Sequence, residues 1–291
     1  MKGHAIVHGA VSIVNAISTG KGAALGVSLE TSAEVNLEPT SKKRTFNFSS
    51  NISKDSVLAE ATVNEVLSKY EEGEFEVTVS TKSEIPEGKG LKSSSAASNA
   101  IALATLSALH KKIRDVNIVK LGVNASLKAG VTITGAFDDA CASFFGGFVV
   151  TDNLAQTIAK KEPAPENLFI LIYIPHETMY TKNFDKKKIM PIAKKISEAY
   201  NLALQGEYWK AMTLNGESHS TALGLTLLPA KAALESGALA AGLSGTGPAV
   251  AAVCHKDSVN EIRSRWSQFS GEVKLTYVNN SKAKGVYLNE N

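Results

Sequence analysis

The segment Ile85-Pro86-Glu87-Gly88-Lys89-Gly90-Leu91-Lys92-Ser93-Ser94-Ser95-Ala96-Ala97 decides how the rest of the chain is read. Ahead of it, alternating side chains over 74–81 predict a strand. Behind it, 96–109 is an Ala/Leu run, apolar almost all round, the pattern of a buried helix. A loop that opens directly into such a helix offers backbone N–H groups and the positive end of the helix dipole to an anion. Gly88 and Gly90 allow close approach, the three serines add hydroxyls for phosphate oxygens or a magnesium ion, and Lys89 and Lys92 bring positive charge. The alternative is an ordinary strand-to-helix turn whose serines cap the helix. No G-x-x-x-x-G-K-[ST] loop occurs, since Gly20-Lys21 and Gly88-Lys89 are each followed by glycine. Gly20-Lys21-Gly22-Ala23-Ala24-Leu25-Gly26 misses the dinucleotide spacing by one residue and precedes a strand, not a helix.

Two more glycine-rich places lie downstream. In Gly135-Ala136-Phe137-Asp138-Asp139-Ala140-Cys141-Ala142-Ser143-Phe144-Phe145-Gly146-Gly147, adjacent carboxylates stand between an apolar residue and a small-residue helix. Either one is poised as a base or both sit near a cation, or else one caps the helix and the other faces solvent. Leu243-Ser244-Gly245-Thr246-Gly247-Pro248-Ala249-Val250 reads as a tight turn leading into an apolar strand.

Around these places, strands are expected at 5–7, 26–38 and 45–48 and helices at 54–70, 116–129 and 138–144. Residues 156–167 read as a surface connection, which divides the chain into 1–155 and 156–291. The second part is expected to hold strands at 168–174, 249–255 and 273–279 and helices at 190–205, 208–223, 229–236 and 259–268. The class is α+β, without the regular alternation of a doubly wound sheet. The chain has 291 residues, 44% of them hydrophobic and 20% charged, with a net charge of +3, a globular composition too weakly basic for a nucleic-acid binder. Cys141 and Cys254 have no C-x-x-C partner, so neither a disulfide framework nor a zinc site is read from them. His4, His8 and Asn15 interrupt the apolar N-terminal stretch, and 238–253 is broken by glycines and a proline. Neither a signal peptide nor a membrane span is expected, which points to the cytoplasm.

In order, the Pro86–Ser94 segment, the aspartates ahead of Gly146-Gly147, and Gly245-Thr246-Gly247-Pro248-Ala249 resemble the GHMP superfamily of galactokinase, homoserine, mevalonate and phosphomevalonate kinases. The resemblance spans nearly the whole chain. Within the superfamily, Gly9-Ala10, Gly20-Lys21-Gly22-Ala23-Ala24, Leu91-Lys92-Ser93-Ser94-Ser95-Ala96 and Thr134-Gly135-Ala136-Phe137-Asp138-Asp139-Ala140 are most similar to the archaeal-type shikimate kinases. The resemblance implies a ribosomal-protein-S5-domain-2-like first part and a ferredoxin-like second part facing each other across a cleft. It implies ATP held by Pro86, Glu87, Gly88, Lys89, Gly90, Leu91, Lys92, Ser93, Ser94, Ser95 and Ala96, and transfer of its γ-phosphoryl group to the 3-hydroxyl of shikimate, a step toward aromatic amino acids. Homoserine kinase, or another kinase of the superfamily, is the second reading, and a nucleotide-binding sensor without transfer is the third.

The same resemblance assigns the base to Asp139, with Asp138 as runner-up or metal ligand. Mevalonate-kinase-like members carry a lysine after the first-motif glycine; here Gly3 is followed by His4, which takes that place as candidate. Their magnesium-binding glutamate is also missing from 124–130, so Mg2+ falls to Ser94, Asp138, water and the ATP phosphates. Gly245, Thr246 and Gly247 are expected near the acceptor, Asn15 and Thr181 at its hydroxyls, and His4, His8 or Lys182 at its carboxylate. The oligomeric state is not legible.

Overall fold

The computed structural model describes residues 1–52, 56–176 and 188–288. The Ala/Leu run forms α2 (Ser93–Ala108), which packs on β1 (Lys2–Val14) and β2 (Lys21–Thr40) and against α1 (Val57–Tyr70), α3 (Asp115–Lys128) and α4 (Phe137–Phe145). Ala96, Ala100, Ala104 and Ala108, one turn apart and fully buried, let the helix lie close to the sheet. A Cβ at Gly3 would collide with the Ala104 carbonyl oxygen, so the start of β1 is seated on the last turns of α2.

The larger sheet runs β11 (Lys284–Leu288), β1, β2, β4 (Glu74–Ser83), β3 (Thr45–Ser50), antiparallel except for the parallel β3–β4 pair joined through α1. β2 is long enough to serve two neighbours on one edge. Residues 31–40 pair with β4, and residues 21–25 pair with β5 (Phe148–Asp152), which in turn pairs with β6 (Thr157–Glu162).

The smaller sheet is antiparallel, in the order β10 (Gly271–Tyr277), β7 (Phe169–Pro175), β9 (Val250–Cys254), β8 (Ala240–Leu243). Numbered along the chain, that is the order of a ferredoxin-like unit. Three helices, α5 (Ala193–Leu204), α6 (Tyr208–Leu223) and α7 (Leu228–Glu235), occupy the first crossover, and α8 (Val259–Trp266) the second. Trp266 is fully buried and its indole N–H donates to the Pro229 carbonyl at 2.8 Å, which fixes α8 to α7.

Three features depart from the sequence expectation. β1 extends from residue 2 to residue 14 instead of covering 5–7. The 156–167 connection contains β6, an edge strand exposed on every second residue, so the expected division after residue 155 runs through the β5–β6 hairpin. β11 then returns the end of the chain to β1. Among the described residues no helix is long and apolar enough to cross a membrane.

Candidate active site

Where the two sheets meet, a cleft of about 330 Å³ is lined by the glycine-rich loop, by 129–136, by Asp138 and Asp139, and by Asn15, Gly245 and Thr246. The loop leaves β4 through the buried Ile85 and turns at Gly88 and Gly90, whose φ values are +68° and +77°. A Cβ at Gly90 would strike the Ser244 carbonyl oxygen. Without one, Ser244 Oγ donates to the Gly90 carbonyl at 2.9 Å and the Ala249 N–H donates to the Lys89 carbonyl at 3.2 Å. The first and third glycine-rich segments are thus locked together from opposite halves. β1 completes the junction: Ser12 Oγ accepts from the Gly245 N–H at 3.0 Å, and the Asn15 amide donates to the Gly245 carbonyl at 2.7 Å.

Two helices begin in this cleft, each from a non-glycine residue in the left-handed region, Lys92 (φ 69°) for α2 and Ala136 (φ 49°) for α4. Neither leading residue makes a side-chain capping bond; the first-turn N–H groups of α2 remain open, whereas in α4 the Asp138 N–H is taken by the Asn153 side chain. α2 has no acidic residue in its first turn, only Ser93, Ser94 and Ser95, and α4 carries Asp138 and Asp139 there.

The carboxylates have different surroundings. Asp139 Oδ1 lies 2.9 Å from Lys92 Nζ, with the two side chains only 12% and 6% exposed. That oxygen accepts no aligned hydrogen bond, so the contact is ionic in character. Asp138 is clamped by Asn153, whose amide donates to Asp138 Oδ1 at 2.7 Å and whose carbonyl oxygen accepts the Asp138 N–H at 3.0 Å. The other Asp138 oxygen rests against Gly22, where a Cβ would collide with it. Burial, then the Asp139 charge, push the Asp138 carboxyl up to about 7, with Lys92 and Asn153 opposing. His219 of α6 is held neutral near pH 7. Burial lowers it to about 4 with Lys92 adding to the effect, against a 3.1 Å contact between Nδ1 and the Asn215 carbonyl.

Of the residues expected at the site, Glu87, Gly88, Gly90 to Ser95, Asn15, Asp138, Asp139, Gly245 and Thr246 line the cleft. Pro86, Lys89, Ala96 and Gly247 belong to the same segments without lining it. Lys89 turns away, its ammonium donating to the carbonyls of Pro175 and His176 at 2.8 and 3.0 Å. Asn15 lines the cleft, but its amide is engaged with Gly245 and with the Ile17 N–H. His4 is not brought to the aspartates. It pairs with Glu34 and Val286, eight strand residues or roughly 26 Å before Ser12, because Gly3 is seated on the far end of α2. The cation beside Asp139 is Lys92 instead. His8 lines no part of the cleft either, and Thr181 and Lys182 lie outside the described residues. Sequence reading missed Asn153, fifteen residues after its partner with no local motif to mark it, and the 129–136 wall.

A serine-lined helix start with open N–H groups, joined through Lys92 to a buried carboxylate at a second helix start, is an arrangement suited to phosphoryl transfer, the chemistry of the small-molecule kinase class. The family model for the GHMP kinase N-terminal domain matches residues 57–147, and that for the C-terminal domain matches 229–271. A Methanosarcina mazei protein named shikimate kinase is 44% identical over 97% of this chain and 96% of its own length. One of the same name from Pyrococcus abyssi is 45% identical over 95% and 99%. Solved structures with the same fold include a homoserine kinase from Cytophaga hutchinsonii (TM-score 0.77, 19% identity, 98% and 97% covered) and the Methanococcus jannaschii mevalonate kinase (0.75, 16%, 95% and 98%). The chain belongs to the GHMP kinase family, in the group of archaeal proteins named shikimate kinase.

Proposed function

We propose that the chain transfers the γ-phosphoryl group of ATP to the 3-hydroxyl of shikimate. The observation that carries the mechanism is the buried Lys92–Asp139 pair, which joins the serine-lined start of α2 to the start of α4. The open N–H groups of α2 and the Ser93–Ser95 hydroxyls receive the phosphates. A second recess of about 80 Å³, lined in part by Phe48, Ile52, Leu58 and Ile101 with serines and threonines beside them, adjoins the cleft through Glu87, Ser93, Ser94 and Val131 and suits the flat aromatic face of a base. In the transfer, the shikimate oxygen forms a bond to the γ-phosphorus as the bond to the β–γ bridging oxygen breaks. ADP leaves with that electron pair, and the hydroxyl proton passes to Asp139. Most of the catalysis is positioning and charge neutralisation.

The donors available for Mg2+ are all oxygens, as that ion requires, but the described residues hold no group of three acidic, histidine or cysteine ligands. They fit an ion that arrives with the nucleotide and draws most of its shell from phosphates and water. Ser94 would hold it, while Asp138, with one oxygen bonded to Asn153 and the other against Gly22, is the poorer ligand. The ion, when bound, would neutralise phosphate charge.

ADP release measured with MgATP against shikimate, homoserine, mevalonate and galactose tests the reading. Turnover that depends on shikimate supports it. Turnover with another acceptor would overturn the substrate and keep the kinase, and no turnover with any acceptor would favour a nucleotide sensor.

A further inference from the structure

The inward rows of two neighbouring strands turn polar where they reach the second recess. On β4 the buried row runs Phe75, Val77, Val79 and then Thr81 and Ser83, and on β2 the row Leu29, Ala33, Val35, Leu37 is interrupted by Thr31. Valine has nearly the shape of threonine, and a hydroxyl among apolar side chains costs free energy unless it is bonded, so packing alone does not call for Thr31. Thr31 and Ser83 stand directly opposite in the β2–β4 pairing, with their hydroxyl oxygens 2.7 Å apart. Ser83 Oγ also accepts the Ile85 N–H at 3.1 Å. The Asn51 side chain fixes the Ser83 backbone, donating to its carbonyl at 2.9 Å and accepting its N–H at 2.8 Å. Two hydroxyls carry two protons. One is spent between them, whichever oxygen donates, and the Ile85 bond uses only a lone pair, so the second proton has no acceptor among the described residues. Both residues line the recess, and they are only 1% and 6% exposed.

We infer that the Thr31–Ser83 hydroxyl pair reads the base of the nucleotide: its unspent O–H proton donates to a ring nitrogen of the purine that carries no hydrogen. The inference rests on the reading that the recess takes the base of ATP. Apolar walls such as Phe48, Leu58 and Ile101 hold any flat ring of the right size, because they offer contact without direction. The hydroxyl pair differs in kind, since it asks for an acceptor at one place on the ring. A ring with C–H at that place leaves the buried O–H unpaired, and the desolvation of that group is then uncompensated. The pair is also set before the base arrives. Cross-strand register places Thr31, while Asn51 and the Ile85 N–H hold Ser83, so little ordering is left for binding to supply. The pair selects the nucleotide and takes no part in the transfer itself.

The test measures Kd by titration, in the presence of Mg2+, for ATP and for 1-deaza-, 3-deaza- and 7-deaza-ATP, in each of which one ring nitrogen is replaced by C–H. The parent is compared with Thr31→Val/Ser83→Ala, Thr31→Ser and Ala97→Leu. With the parent, one of the three analogues should bind about tenfold more weakly than ATP, the loss of one hydrogen bond. The double variant should bind ATP more weakly by a similar factor and lose nothing further against that analogue. Thr31→Ser keeps the hydroxyl and should keep the parent's preference. A purely structural role would weaken ATP and all three analogues alike in the double variant, and that result overturns the inference. So does a parent that binds all three analogues as well as ATP, an outcome that depends on no variant folding. Ala97→Leu extends a side chain of α2 into the recess. An unchanged Kd for ATP in that variant would show that the base lies elsewhere and overturn the reading on which the inference rests.

Discussion

α2 and α4 start in the same cleft from the same backbone device and do opposite things. Each is led by a non-glycine residue in the left-handed region and presents the positive end of its dipole, but the first-turn N–H groups of α2 are open while the Asp138 N–H of α4 is taken by Asn153. In α4 the dipole is answered from within, by Asp138 and Asp139 in the first turn. In α2 no acidic residue of the first turn answers it, and that turn offers only serine hydroxyls. On the proposed reading, the helix start that supplies its own anion holds the base, and the one that withholds it receives phosphate. What separates the two functions is the composition of a single turn.

The strongest way to break this comparison is to remove the charge from the α4 start. Asp139→Asn should lower kcat by roughly 10²–10⁴-fold while ATP binding, read by titration, changes little. A large loss of ATP affinity with unchanged kcat would mean that α4 also belongs to the nucleotide site and that the division of labour is wrong. Next in size is the converse change, giving α2 the composition of α4. Ser94→Asp should raise KM for ATP at least about tenfold, equivalent to about 1.4 kcal/mol. The same carboxylate should stabilise the helix start by about 0.3–1 kcal/mol against thermal melting, because it now answers the α2 dipole. Opposite signs in the two measurements would sharpen the comparison, whereas tighter ATP binding would end it.

Much of this contrast is legible in the chain before any coordinates. The loop, the buried helix behind it, the aspartate pair and the later Gly-Thr-Gly turn each announce themselves through glycines and serines set against an apolar run, because local backbone demands leave local marks. What is not legible is long-range. Asn153 clamps Asp138 through a strand pairing that returns β5 to the start of β2, and nothing in the residues around 153 records that return. His4 follows a first-motif glycine and so reads as a catalytic neighbour, yet Gly3 is there to let β1 touch Ala104, at the opposite end of α2 from the phosphate loop. β6 and β11 are short, partly exposed edge strands rich in charged or polar residues, so they do not stand out in the sequence. Lys92 reads naturally as a phosphate ligand, since only the folded chain shows that its stem turns inward to Asp139.

The smallest effect concerns the second carboxylate, and it distinguishes two adjacent residues of one helix turn. Burial and Asp139 raise the Asp138 carboxyl to about 7 in the fold, above an unfolded value near 3.8. A group whose proton is held more tightly in the native state contributes stability that is complete below pH about 4 and is lost as pH rises through about 7. Asp138→Asn cannot lose a proton. Its carbonyl oxygen can still accept from the Asn153 amide, and its own amide takes the position against Gly22. The melting temperature of the parent should therefore fall relative to that of Asp138→Asn between pH 5 and pH 8, with the gap levelling off above pH about 8. Parallel melting curves across that range would mean that Asp138 is already ionised at pH 5 and that Lys92 is shared between both carboxylates. A loss of turnover by Asp138→Asn as deep as that of Asp139→Asn would carry the argument further, since the two carboxylates would then act as one proton-sharing unit and the α4 start would hold a dyad instead of a single base.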